Sequence, residues 1–229
     1  PAVTDVQIVV PFGGNDPHRV RVRDWIVARY RRLHPGWPVT ITDCDGDWSK
    51  GRAVNAVAAS LDAEVTIVAD ADSYVTTEAL TAAVDRVGVL GWSMPHGTVR
   101  RICQPGTERI LDGKDVPDPA PHIRPNPAMP GGGIVVLDRR ARTALRGVIF
   151  DPRFVGWGYE DKTLSLLMGR LLGHYSTKTI RPQLWHLWHP PAPAHNRSSK
   201  ANRLLWRRYH RAADNDALAA ILEEVSPCR

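Results

Sequence analysis

Cysteine, acidic residues and long apolar runs are all scarce in this chain of 229 residues. No stretch of about 18 apolar residues exists to cross a bilayer, and no apolar leader opens the chain, so the expectation is a cytoplasmic protein. Pro1 at the start fits removal of an initiator methionine. Cys44, Cys103 and Cys228 are scattered and without metal-ligand spacing, which predicts reduced thiols and no disulfide framework. The shortage of acids leaves 24 carboxylates against 30 Lys and Arg, a formal charge of +6. That balance favours acidic partners: nucleoside diphosphates, anionic lipid surfaces or nucleic acid. It is unevenly spread. Asn196 to Arg211 carries Arg197, Lys200, Arg203, Arg207, Arg208 and Arg211 with no acid among them, whereas Asp214 to Glu224 is acidic. This basic stretch is either a solvated helix face or a surface for DNA or an anionic membrane.

What is present is organised around Val65 to Asp72, an apolar, β-branched run that ends in two carboxylates one residue apart, Asp70 and Asp72. Such a run reads as a buried strand, and open α/β sheets place ligands at the carboxyl ends of their strands. Because the chain turns there, each acid could take a different partner. Hard oxygen ligands at that place suit Mg²⁺ or Mn²⁺ carrying a diphosphate. The competing expectation is that Asp72 caps the helix from Thr77 to Val87.

Before that stretch, Asp5 to Pro11 and Pro38 to Thr42 read as strands, with helices from Asp16-Pro17 to Leu33 and from Lys50 to Leu61. Three strand–helix units predict right-handed crossovers and a parallel sheet, with the Asp43 turn and the Asp70/Asp72 turn on one edge. A nucleotide-sized crevice is expected between them. Beyond it, Val89 to Met94 reads as a strand, and Thr98 to about Met129 as a structureless, proline-rich loop or lid. Gly131-Gly132-Gly133 leads into a strand at Ile134 to Leu137, and the glycines would act as a hinge or let a substrate approach the backbone. A short helix is expected over Arg139 to Arg146.

Gly156-Trp157-Gly158-Tyr159-Glu160-Asp161 then sets a large aromatic on a flexible turn beside two acids at a helix start. Acids there also suit the helix dipole. Two short strands are expected around Tyr175 to Ile180 and Gln183 to Trp188, the second ending in His186-Leu187-Trp188-His189. Two histidines three residues apart at a strand end make credible metal ligands. A linker follows from Pro190 to Ser199, and then two helices, Asn202 to Arg211 and Asp214 to Val225.

With Asp70-Ala71-Asp72, Gly156 to Asp161 and His186 to His189 in that order, the chain resembles the GT-A glycosyltransferases. It is most similar to family-2-like bacterial enzymes whose C-terminal part is similar to the galactosyltransferase and polypeptide N-acetylgalactosaminyltransferase groups. The resemblance implies an α/β fold with a Rossmann-like, mostly parallel sheet flanked by helices and a C-terminal helical tail. It implies a glycosyltransferase domain over residues 1–190, with a donor half to about 95 and an acceptor half beyond it, then a basic segment over 191–229. Asp72 would bind Mn²⁺ or Mg²⁺ directly, Asp70 the ribose or the metal's waters, and His189 or His186 would complete the site. Asp43 would read the base of a nucleoside-diphosphate sugar, a UDP-sugar by family expectation, with Pro11 and Phe12 beneath it. Lys50 or Arg52 would approach the nucleotide, in a segment with Asn55, and Ala71, between the two acids, would also bind the donor. Asp161 would be the base of an inverting transfer and Glu160 would orient acceptor or sugar, beside Gly132, Gly133, Trp157, Gly158 and Tyr159. The acceptor is open: a glycan or lipid-linked sugar, a small molecule, a protein, or a hydroxylated base in DNA. Two other classes compete, a non-catalytic nucleic-acid-binding protein and a metal-dependent nucleotidyltransferase.

Overall fold

The computed structural model describes residues 5–58, 62–114, 126–127, 132–174, 182–190 and 200–225. Strand and helix alternate at first: β1 (Val6–Pro11), α1 (Pro17–Leu33), β2 (Val39–Thr42), α2 (Lys50–Ala58) and β3 (Val65–Ala69). Then come β4 (Ser73–Tyr74), α3 (Thr77–Leu90), β5 (Trp92–Ser93), β6 (Thr98–Arg101), α4 (Gln104–Leu111), β7 (Asn126–Pro127) and β8 (Ile134–Asp138). The chain continues through α5 (Arg139–Ala144), α6 (Glu160–Leu171), β9 (Gln183–His186), α7 (Lys200–His210) and α8 (Asn215–Glu223).

The main sheet has the order β2-β1-β3-β8-β5, and β1 pairs in parallel with β2 and β3 as the alternation predicts. β8 runs antiparallel to both β3 and β5. The chain between β5 and β8 passes through a second sheet rather than one crossover helix, and so it returns in the opposite direction. That second sheet, β4-β9-β6-β7, stands at the carboxyl edge of β3. Side chains alternate across β1. Val6, Ile8 and Val10 pack with α1 and α3, whereas Val9 faces a cluster built from α2, α6, α7 and α8. Burial of a side chain such as Ile8 or Ile67 contributes about 1.5–3 kcal/mol, and both are fully enclosed.

Several expectations are corrected. Asp72 does not cap α3; Thr76 does, its hydroxyl accepting from Ala79 N. That helix also runs one turn further, to Leu90, because Gly91 closes it in the left-handed conformation with its N–H on Val87 O. Val89 is therefore a solvent-facing helical residue, and the strand begins at Trp92. The segment from Thr98 is not structureless: Thr98–Arg101 is a strand and Gln104–Leu111 a helix that buries Thr107 and Ile110. Residues 115–125 and 128–131 of the expected lid lie outside the described residues, as do the expected strand at 175–180 and the linker at 191–199.

The fold places α2 hard against the chain before α6. A Cβ on Gly51 would lie 2.7 Å from Phe150 O and from Asp151 C and O, all backbone atoms. Asn55, one turn on, donates to Phe150 O at 2.7 Å and accepts from Ile149 N at 3.1 Å. Gly51→Ala is therefore expected to lower the free energy of unfolding in urea by about 1–3 kcal/mol through overpacking, although alanine is the better helix former by about 1 kcal/mol. Unchanged or increased stability would contradict this close approach.

Candidate functional site

Three segments meet at the carboxyl edge of the main sheet: the turn after β3, the start of α2 and the start of α6. Asp70 is fixed by its own amide, which donates to Gly133 O at 2.8 Å. Its Oδ1 lies 2.8 Å from Lys50 Nζ, and the same ammonium reaches Asp161 Oδ1 at 3.1 Å. Lys50 is buried at 8% exposure, with Nζ 4.6 Å from the Phe150 ring centroid. Burial alone would favour the neutral amine, but Asp161 and Asp70 outweigh it and hold Lys50 above its ordinary value. Both carboxyls are shifted up, chiefly by burial, with Lys50 opposing the shift.

Asp72 has other partners, as two acids at a turning strand end allow. β4 pairs antiparallel with β9 in a register that sets Ser73 opposite His186. Leu187 N donates to Asp72 O at 2.8 Å, and this extends the pairing by one step. The Asp72 carboxylate consequently stands 3.7 Å from His186 Nε2 and 3.1 Å from His189 Nε2. Burial opposes its charge, yet His186, His189 and the Ser73 hydroxyl together hold it below the usual carboxylate range. One ligating atom from each of Asp72, His186 and His189 lies within 4.8 Å of the others.

The state of His189 tests whether this cluster fits a metal. Its Nδ1 is 2.8 Å from Pro190 O, an acceptor only, so Nδ1 carries the proton. In the neutral ring Nε2 then presents a lone pair. That atom is buried and faces Asp72 Oδ2 without the alignment of a hydrogen bond. Two lone-pair atoms at that distance need a proton or a cation between them, and backbone-anchored imidazoles with a carboxylate are a usual divalent-metal set. The residues fit a metal ion. Asp70 is not among the three; it belongs to the Lys50 ion pair.

Apart from His189, these groups line a cleft of about 430 Å³, within the usual range for small-ligand sites. Pro11, Phe12, Asp70, Ala71, Asp72 and Lys50 form one side. Gly132, Gly133, Trp157, Gly158, Tyr159, Glu160, Asp161 and His186 complete it, so most of the residues singled out from the motifs come together. Four do not line it, among them His189, whose Nε2 is buried against Asp72 Oδ2. Asp43 is exposed, with Oδ1 accepting from Cys44 N. Arg52 turns back to Asp45 O and Asp47 O, so of these two basic residues Lys50 lines the cleft. Asn55 serves α2 packing. The crowding at Gly133 is internal: it has φ +73°, and a Cβ there would meet Leu184 at 2.6 Å. Glu160 bends back to accept from Gly158 N at 2.8 Å, which holds Tyr159 in a left-handed conformation at φ 78°.

Sequence reasoning missed Arg19, Trp48 and Arg101, all in the cleft lining. Arg19 was indistinguishable from its neighbours on the basic face of α1. It also missed Asn202, buried on α7, whose amide bonds Val155 N and O and Gly158 O. No local signal marks that residue.

No family model matches the chain, and no curated protein matches it. Solved structures do resemble it. Several of them are glycosyltransferases. The mannosyltransferase PcManGT from Pyrobaculum calidifontis, in complex with GDP-Man and Mn²⁺, is 15% identical, with 96% of this chain and 68% of that one covered and a TM-score of 0.49. GalNAc-T7 with UDP, GalNAc and Mn²⁺ is 12% identical over 95% of this chain, at a TM-score of 0.48; the chain spans 51% of its length. Glucosyl-3-phosphoglycerate synthase from Mycobacterium tuberculosis, with Mn²⁺, UDP-glucose and phosphoglyceric acid, is 16% identical, covering 96% and 80%, at a TM-score of 0.42. Each is distant both in sequence and in superposition.

Asn202→Leu removes the amide that ties α7 to residues 155–158. With a hydrogen bond contributing about 0.5–1.5 kcal/mol, amide exchange at Val155 should accelerate roughly tenfold in native-state hydrogen exchange. Exchange at the wild-type rate would show that the loop is held by other contacts.

Proposed function

We propose that this chain is a metal-dependent, inverting glycosyltransferase of the GT-A type that uses a nucleoside-diphosphate sugar, with UDP-sugars the first donors to try. The observation that carries the reading is the pairing, across one nucleotide-sized cleft, of the Asp72–His186–His189 cluster with the Lys50-linked carboxylate Asp161. Asp72, His186 and His189 would hold Mn²⁺ or Mg²⁺. When bound, the ion would neutralise charge developing on the departing diphosphate.

The chain's own residues supply the rest. Arg19 and Arg101 add cations to the cleft wall, Arg101 lying 3.4 Å from His186 Nε2. Pro11 and Phe12 offer an apolar seat for a base, and the guanidinium of Arg23 lies 4.6 Å from the Phe12 ring centroid. Trp157, 44% exposed at the rim, is free to stack on a sugar face. Lys50 engages Oδ1 of Asp161, and Oδ2 takes the acceptor's proton. The acceptor oxygen then bonds to the anomeric carbon as the bond to the diphosphate oxygen breaks, with its electron pair leaving on the diphosphate. A single displacement from the opposite face inverts the anomeric centre. Burial, which raises Asp161, makes it a better base than a solvated aspartate.

Two experiments test this. Isothermal calorimetry with Mn²⁺ and a panel of UDP- and GDP-sugars should show metal-dependent binding of one donor, lost in Asp72→Ala and His189→Ala. Release of pyrophosphate from a nucleoside triphosphate, with no binding of any sugar nucleotide, would replace the reading with nucleotidyl transfer. Asp161→Asn should keep donor binding and lower transfer by roughly 10²–10⁴-fold. Because the base works ionised and its carboxyl is shifted up, wild-type activity should fall on acidification at a pH above the ordinary aspartate range. An unchanged rate in Asp161→Asn would assign the base elsewhere.

A further inference from the structure

A second cavity, of about 330 Å³, opens between α6 and α7. Its floor is one face of α6, where Lys162, Ser165, Leu166, Gly169 and Arg170 recur at helical spacing. Trp206 and His210 of α7 form the facing wall, and His174 closes the end. Among the described residues the lining holds no carboxylate, but it does hold an ammonium, a guanidinium and two imidazoles. Trp206 is the middle ring of a row. It lies 5.6 Å from Tyr159 and 4.9 Å from His210, with interplanar angles of 33° and 34°. Lys162 lines both this groove and the cleft, and Tyr159, beside Trp206, lines the cleft, so groove and cleft adjoin.

We propose that this groove is an acceptor subsite for a saccharide chain bearing an anionic group, a carboxylate or a phosphate, remote from the hydroxyl that reacts. The proposal rests on the glycosyltransferase reading and specifies its acceptor class. Asp161 lies in the first turn of α6 and Arg170 near its end, about 14 Å further along at 1.5 Å per residue and about half a turn round the helix. An acceptor with its hydroxyl at Asp161 and its anion at Arg170 is therefore longer than one hexose. Aromatic rings suit the apolar face of a sugar, and cations with no competing acid suit the anion. A groove of this volume takes a slender chain rather than a duplex.

The test reads the groove directly. The Trp206 indole N–H resonance, assigned by loss in Trp206→Phe, is followed in the full chain with and without UDP and Mn²⁺. Glucuronate, glucose 6-phosphate, methyl glucoside and a single-stranded thymidine oligonucleotide are titrated separately. A saturable shift with glucuronate or glucose 6-phosphate, absent with methyl glucoside and weakened about three- to fivefold in Arg170→Ala, is expected; which of the two binds tighter distinguishes carboxylate from phosphate. A response to neither anion, an equal response to methyl glucoside, or a response to the oligonucleotide alone would overturn it. Donor binding by calorimetry in wild type and Arg170→Ala, expected to be equal, separates the two readings. Donor binding without any groove response refutes only the subsite, whereas absence of donor binding in wild type refutes the transferase.

Discussion

One buried cation sets the geometry of this molecule's cleft. Lys50, itself buried, gives its charge to two carboxylates from different parts of the chain, Asp70 after β3 and Asp161 on α6, which stay partly exposed to the cleft. Removing the ammonium would leave two carboxylates facing one another with no cation between them. The group therefore fixes relative position: the end of β3, the start of α2 and the start of α6 can meet in few other ways. Gly51 and Asn55 make that meeting sterically possible, the one by lacking a side chain and the other by bonding the backbone at 149 and 150. A single arrangement thus serves packing and chemistry together, because the acid that would take a proton is also the acid that orders α6.

Much of this could be read from the chain itself, for identifiable reasons. Strand periodicity and turn chemistry gave β1 to β3 with α1 and α2 closely, since each is a local pattern ended by a local signal such as Asp16-Pro17. The divergence of Asp70 and Asp72 follows from a turning strand end, and the structure gives them separate partners. What escaped was non-local. The antiparallel entry of β8 depends on a second sheet whose strands are as short as two residues, too brief to show periodicity. The helix at Gln104–Leu111 was hidden by the composition of the proline-rich stretch around it, although Pro105 falls where a first helical turn tolerates it. Whether Lys50 or Arg52 enters the cleft depends on which side of α2 faces the sheet, a non-local matter that spacing along the chain does not carry.

The C-terminal helices carry more than surface charge. Tyr209 is fully enclosed, its hydroxyl donating to Asp151 Oδ2 at 2.7 Å, and Asp151 in turn binds Arg153. Arg153 and Arg208 share Glu224 beyond α8. Together with Asn202, these contacts bind α7 and α8 to the loop that presents Trp157 and to the start of α6. The basic residues that made this region look like an appendage are largely the outer face of an element whose inner face is part of the core.

The pairing of β4 with β9 has a consequence for how the protein matures. Asp72 and the two histidines come from opposite halves of the chain and are brought together by a ladder of two residue pairs. A pairing so short has little stability of its own, so the site exists only once most of the polypeptide has been made and collapsed. An ion that bridged Asp72 and the histidines would then act as a clasp on the finished fold, favouring the native state by mass action. Nascent or truncated chains ending before β9 would have no such clasp, and could not retain the ion on this set of ligands.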